Sequence, residues 1–387
     1  MTHSWTGGQY SVFRGLFGAY LFVHFVQLMR LGADLFSNSG LLADATASPL
    51  YPLLPELLFV WDSPTAAMTL LAIGVTASIA LLIGWQDRIA ALVLWVVWTC
   101  LFLRNPPIAS PGLPFVGWLL LLHVALPRRP FGSWDARGRL DPDSGWRMPP
   151  VLYTTAWIAM LLGCSYAAAT QLANPSWIRG SALAAGILFI PLALVARIRP
   201  WLWLALLGLN LGRMSLFDFA DPSAGMILLF FFSFDPGWIT PRLPEGQAGH
   251  TLVFYDGACG LCHRTIRFLL AEDAAGRRFR FAPLDSNAFR SACAASESGL
   301  DPGEPIPDSV LVQRPGEAML TRAEGVLEIG HQLGGLWRLL AVVVGWVPLG
   351  TSNAAYDFVA RTRHRLFARP DDVCPILAMH LRERFQL

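Results

Sequence analysis

The sequence predicts two parts: a polytopic α-helical membrane bundle of about eight helices over residues 1–240, and a small α/β domain over residues 250–387, joined by a linker at 241–249. Three observations predict this. The chain is 54% hydrophobic and 14% charged, with a mean hydropathy of +0.46, whereas an ordinary soluble domain carries about 25% charged residues. Long apolar runs recur up to residue 240, and charge becomes frequent only after His250. Finally, Cys259-Gly260-Leu261-Cys262 stands between a short apolar run and an amphipathic tract, the placement of a redox-active pair rather than of a structural scaffold.

Spanning about 30 Å of hydrocarbon takes roughly 17 to 25 helical residues. The runs that approach this length are Ser11 to Leu31, Pro64 to Gly84, Arg88 to Leu103, Leu113 to Leu126, Val151 to Gln171, Trp177 to Ala196, Pro200 to Phe217 and Pro222 to Ile239. The tract Pro49 to Pro55 is too rich in proline for a regular helix and is placed at the membrane surface. All 29 basic residues are arginine. With eight spans, Arg88, Arg128, Arg129, Arg137, Arg139, Arg147, Arg197 and Arg199 fall on one side, and Arg104, Arg179 and Arg213 on the other. The positive-inside rule then puts both termini and the α/β domain in the cytoplasm, in an integral membrane protein of bacterial inner-membrane type. A net charge of +2 gives no reason to expect nucleic acid as a partner. The expected partners are the lipid bilayer and a protein or small-molecule thiol or disulfide.

After the linker, Thr251 to Tyr255 reads as a buried strand and His263 to Ala271 as a helix with Ile266, Leu269 and Leu270 on one face. Phe279 to Phe281 suggests a second strand, a helix signal follows Asp285-Ser286-Asn287, and Val310 to Val312 suggests a third strand. A strand, a CxxC at a helix start, then further strands and helices is a thioredoxin-like order. The apolar run Leu339 to Val347 is too short for a span between Arg338 and Pro348, and is read as a core helix.

Cys259 and Cys262 are the expected catalytic pair. The first thiolate is favoured by the helix N-terminus, and the second resolves the mixed disulfide. Zinc binding completed by Cys293 and Cys374, and haem attachment at Cys262-His263, stay open on the residues alone, although neither metal nor cofactor is required by the favoured reading. Asp256 is either a proton acceptor for the second thiol or a turn and helix cap. Tyr255, Gly257, Pro307 and Cys374 are the expected supporting residues, Pro307 because it precedes a strand and Cys374 as a resolving thiol. Within the membrane half, His24, His123, Gln171 and Arg213 are the polar candidates, weighed against plain helix–helix hydrogen bonding.

Residues 250–378 resemble the DCC family of thiol-disulfide oxidoreductases. The likeness rests on Tyr255-Asp256-Gly257 with Cys259 and Cys262, Phe281-Ala282-Pro283-Leu284-Asp285, Pro307-Asp308-Ser309-Val310, Leu333-Gly334-Gly335, Trp337, Tyr356 to Arg361, and Cys374. Arg322-Ala323 departs from the Ser-Ala expected there. The resemblance implies a thiol-disulfide oxidoreductase whose direction is open. The membrane half resembles the HTTM domain, the horizontally transferred transmembrane domain shared with vitamin K-dependent gamma-carboxylases, at Arg104-Asn105-Pro106, Ser133-Trp134-Asp135, Pro175-Ser176-Trp177 and Phe234 to Trp238. Gln171 stands where the related tract carries lysine, so carboxylation is disfavoured. The competing reading is a lipid- or quinone-linked membrane enzyme or transporter with a redox-sensing CxxC domain.

Overall fold

A computed structural model of the chain describes residues 3–44, 46, 48, 57–105, 112–171, 191–217, 220–242, 249–295, 310–366 and 378–386. It separates into two compact units. The first comprises Met1–His3, Tyr10–Asp135 and Arg147–Phe234; the second comprises Ser4–Gln9, Ala136–Trp146 and Asp235–Leu387.

The first unit is helical, with α1 (Gly7–Met29), α2 (Pro64–Ile83), α3 (Asp87–Arg104), α4 (Leu113–Ala125), α5 (Pro150–Gln171), α6 (Arg199–Phe217) and α7 (Ala220–Ser233). On α1, Tyr10, Phe13, Phe17, Leu21 and Phe25 recur at three- and four-residue steps and are all buried, which is the stripe a helix turns toward a core. The helix α2 starts where Ser63 accepts from Ala66 N at 3.2 Å with Pro64 in the first turn. It stops at Gly84, whose φ of 74° closes the last turn. The terminal carbonyls of Leu81 and Leu82 accept from Arg14 Nη1 at 2.6 and 2.9 Å, and Gly132 O accepts from Nη2 at 3.3 Å. A Cβ at position 84 would lie 2.5 Å from Arg14 Nη1, so glycine is required there twice over.

The expectation of about eight membrane helices is corrected. Among the described residues, α1 and α2 alone are long and apolar enough to cross a bilayer singly, and a bent helix pair near the C-terminus raises the number to three at most. Helices also form at the other predicted runs that are described, and three of them fall short in composition or length. The helix α3 carries Asp87, Arg88 and Arg104 in 18 residues. With 13 residues, α4 is roughly 20 Å long, and α7 with 14 residues is little longer. The run Trp177 to Ala196 lies almost wholly outside the described residues. Hydropathy registers apolar residues whether lipid or neighbouring helices cover them, and without the eight-span count the arginine asymmetry assigns no side.

The second unit is built on a four-stranded mixed sheet in the order β2-β1-β3-β4. Strand β1 (Thr251–Tyr255) pairs in parallel with β2 (Phe279–Pro283), Val253 facing Phe281, and antiparallel with β3 (Leu311–Gln313), Val253 facing Val312. The two-residue β4 (Met319–Leu320) closes a hairpin with β3. A parallel pair needs a crossover, and α8 (Gly260–Glu272) supplies it. Alternate side chains serve two cores. Val253, Tyr255, Phe279, Phe281 and Val312 pack with Cys259, Cys262, Ile266 and Leu270, while Phe254, Ala282 and Leu311 pack with Phe289 and Cys293 of α9 (Asn287–Ala295).

Two buried acids tie the unit together. Asp273 accepts from Arg384 at 2.9 Å and from the backbone N–H groups of Arg277, Arg278 and Phe279. Glu272 accepts from Thr6 Oγ1 at 2.7 Å, from Gly8 N at 3.1 Å and from Trp337 Nε1, which holds Ser4–Gln9 within this unit. Burial pushes the Glu272 carboxyl upward, and these donors offset the shift in part.

The reading of Leu339 to Val347 as a core helix is also corrected. After α10 (Arg322–Leu333), Gly334 and Gly335 both adopt positive φ, 73° and 56°, and start α11 (Gly335–Gly345). It meets α12 (Leu349–Leu366) at a bend of 116°. Leu339, Leu340, Val343, Trp346 and Val347 are exposed, Trp346 by 80%. The run is apolar because it faces outward from this unit, not into it.

Candidate functional site

Tyr255 ends β1 and the chain turns at Asp256. Its Oδ1 accepts from Ala258 N at 2.8 Å and its carbonyl from Cys259 N at 3.2 Å, so Asp256 shapes the turn that delivers both cysteines. Cys259 is the N-cap of α8: its sulfur accepts from Cys262 N at 3.4 Å, in the place a serine hydroxyl would take. The pair sits one helical turn apart, both thiols are free, and they are 1% and 3% exposed.

His263 locks the loop. Its Nε2 lies 2.8 Å from Gly257 O, and because a carbonyl only accepts, that nitrogen carries the proton. Tyr255 packs edge-on against His263 and Phe385, which makes it a wall of the site. Gly257 has no positive φ and open space where a Cβ would stand, so its contribution here is the carbonyl.

The residue that the sequence reading missed is Arg363. Its guanidinium is 4% exposed, with Nη1 3.8 Å from Cys262 Sγ and Nη2 3.5 Å from Asp256 Oδ2. It arrives on α12 together with Tyr356, Val359 and Ala360, spaced i, i+3, i+4 and i+7, so one face of this helix is turned toward the cysteines. That spacing was present in the sequence: Tyr356, Val359 and Ala360 fall within the tract Tyr356 to Arg361, and Arg363 stands two residues beyond it. Tyr356 is bound into the same wall, its hydroxyl accepting from Val310 N at 2.9 Å.

Cys262 is pushed up to about 12 from 9.0, first by burial and then by the neighbouring Cys259; Arg363 and the backbone at Asp256 work against the rise. At neutral pH Cys262 is therefore a thiol. Its side chain lines a cavity of about 570 Å³ within this unit.

Pro307 and Cys374 lie outside the described residues. In the first unit, His123 is buried between Tyr10, whose hydroxyl it meets at Nδ1, and Asp87, 3.7 Å from Nε2. His24 is elsewhere, stacked on Tyr20 and close to Trp98 at 5.0 Å between ring centres. Gln171 and Arg213 fall in α5 and α6, but their side chains are not among those described. No group of three or more potential metal ligands occurs among the described residues.

Residues 253–369 match the family described as DCC1-like thiol-disulfide oxidoreductase, so the second unit carries a domain of that kind. A relative, the uncharacterized protein YuxK of Bacillus subtilis (strain 168), is 26% identical over 139 residues, which is 36% of this chain and 96% of that protein. No solved structure matches.

Proposed function

We propose that the chain is a membrane-anchored thiol-disulfide oxidoreductase that works through Cys259 and Cys262. The observation that carries the reading is the helix start itself: Cys259 receives the Cys262 N–H, and Cys262 in turn lies against Arg363. The Cys262 N–H and the N-terminal end of α8 are directed at the first sulfur, which is the nucleophile in this reading. Cys259 attacks a substrate disulfide, and one substrate sulfur leaves as a thiolate. Cys262 then attacks Cys259 in the mixed disulfide, releases the second substrate thiol and leaves the domain oxidised. The reverse sequence oxidises a substrate dithiol. Because both sulfurs are covered, exchange with a protein substrate requires the turn at Asp256 to Ala258 to move aside. Asp256 acts by holding that turn and by facing Arg363 rather than as a buried base, since its side chain is 31% exposed.

Further support comes from the match of residues 253–369, which includes both cysteines and Arg363, and from a parallel β-α-β unit followed by an antiparallel hairpin, which is thioredoxin-like. The two apolar helices α1 and α2 supply the anchor. We read the first unit as HTTM-like and, with Gln171 in place of a basic side chain, as not carboxylating glutamate.

Purified full-length protein in detergent, reduced and freed of reductant, is mixed with 5,5′-dithiobis(2-nitrobenzoate) or oxidised glutathione. Wild type should lose two more thiols per chain than the double variant Cys259→Ser, Cys262→Ser, with a trapped mixed disulfide in Cys262→Ser alone. Equal rates in wild type and Cys259→Ser would overturn the assignment.

A further inference from the structure

We propose that the cavity beside Cys262 binds a lipid-soluble quinone, to which the Cys259–Cys262 dithiol passes two electrons. This rests on the proposed dithiol activity and names the oxidant it uses. The cavity, about 570 Å³, has the size of a small-molecule site. Its walls are largely aliphatic and aromatic, with Leu261, Phe268, Val310, Val326, Val344 and Val359 among them. Cys262 and the Arg363 guanidinium, 3.8 Å apart, are the reactive thiol and the charged donor on that wall.

This lining selects against a peptide and for a ring with carbonyl oxygens. A peptide brings one donor and one acceptor per residue, and apolar walls leave them unpaired at a cost. A quinone brings two acceptors only, and a guanidinium can donate to one of them. The same guanidinium stabilises the negative charge that builds on the ring oxygen as electrons arrive. The electron count agrees, since dithiol to disulfide and quinone to hydroquinone each involve two electrons and two protons.

The cavity also has an apolar approach. Val344 and Val347 line it and are 45% and 42% exposed, and around them stand Leu340, Val343, Trp346 and Leu349, all exposed. These side chains lie on α11, at the start of α12 and at the bend between the two helices, which together are apolar enough for a broken span or re-entrant segment. In a chain that also carries α1 and α2, hydrocarbon is the medium that covers such a surface. A ligand dissolved in that hydrocarbon reaches Cys262 without crossing water.

The Cys262 thiol adds across one ring carbonyl, sulfur to carbon and proton to oxygen. Cys259 then attacks the Cys262 sulfur; the S–S bond forms as the C–S bond breaks. The released electron pair makes the ring aromatic, and the second ring oxygen takes the Cys259 proton. The products are the disulfide and one hydroquinone.

The test uses full-length reduced protein in detergent with ubiquinone-1, whose fully substituted ring disfavours simple thiol addition. Loss of one quinone per chain should accompany loss of two titratable thiols, and added ubiquinol-1 should slow the reaction competitively. Val326→Trp, which fills the cavity, should raise the quinone concentration for half-maximal rate at least tenfold, with its melting curve checked beside wild type. Reduced wild type that exchanges with 5,5′-dithiobis(2-nitrobenzoate) but is untouched by ubiquinone-1 would overturn the quinone site and leave the dithiol assignment standing. Failure of both reactions overturns both. Oxidation that ubiquinol-1 does not slow, or that a folded Val326→Trp performs as well as wild type, places the reaction outside the cavity and also overturns the proposal.

Discussion

Arg14 in the helical unit and Arg363 in the sheet unit are 2% and 4% exposed, yet they are answered by different chemistry. Arg14 donates to the carbonyls of Leu81, Leu82 and Gly132 at the end of α2 and beyond it; Leu81 O accepts from Gly84 N as well, at 3.2 Å. Arg363 faces a carboxylate, Asp256, and a thiol, Cys262. In the sheet unit Arg384 repeats the carboxylate pattern with Asp273. A guanidinium held by neutral carbonyls caps a helix and cancels its end dipole, which is architecture. A guanidinium held between a carboxylate and a sulfur changes how readily that sulfur gives up a proton, which is chemistry. Buried arginine alone therefore does not mark a site; the partner does.

The contrast can be broken most severely at Arg384. Asp273→Ala leaves that cation buried without its carboxylate and should lower unfolding free energy by about 3–5 kcal/mol, read by denaturant titration. Arg14→Met comes next, at about 2–3 kcal/mol for the carbonyls that lose this donor. The Arg14→Met protein that remains folded should react with a soluble disulfide at the wild-type rate, and a slowed reaction would mean that this cation is more than architecture.

Arg363→Gln should behave the opposite way. Asp256 is partly solvated and tolerates the loss of its partner, so melting should change little, while exchange at neutral pH should slow by about tenfold as Cys262 becomes harder to ionise. The rate profile should shift to higher pH, and an unchanged profile would remove Arg363 from the chemistry.

The pH dependence of the reduced protein sharpens the role of Cys262. Its folded value of about 12 lies above the ordinary 9.0, so the folded state favours the protonated thiol. That contribution is complete below pH 9.0 and is lost as pH rises toward 12. Reduced protein should lose stability over this window at no more than about 1.4 kcal/mol per pH unit. The disulfide form should lack the slope, since it has no thiol to titrate.

Much of the sheet unit was legible. The strands Thr251 to Tyr255 and Phe279 to Phe281 and the helix of Ile266, Leu269 and Leu270 stand where periodicity placed them, because each buries a face against a core. Strand β4 was not legible, since two residues carry no period. Helices in the first unit were legible as helices but not as spans, because an apolar stripe reads alike against lipid and against another helix.

Residue type and spacing by themselves determined that two thiols would stand one turn apart at a helix start, since a CxxC between a strand and an amphipathic run leaves few other places for them. They also determined that most of the chain would be helical and apolar. Only the tertiary structure decided what surrounds the thiols. Arg363 lies 101 positions from Cys262 and meets it through the packing of α12, and the cavity exists because α8, α10, α11 and α12 leave a gap. The same is true of the apolar run Leu339 to Val347, which sequence placed in a core and packing turned outward. Local pattern records what one segment prefers; which segments meet, and which side of each is left over, is set by the whole set of faces that must be buried at once.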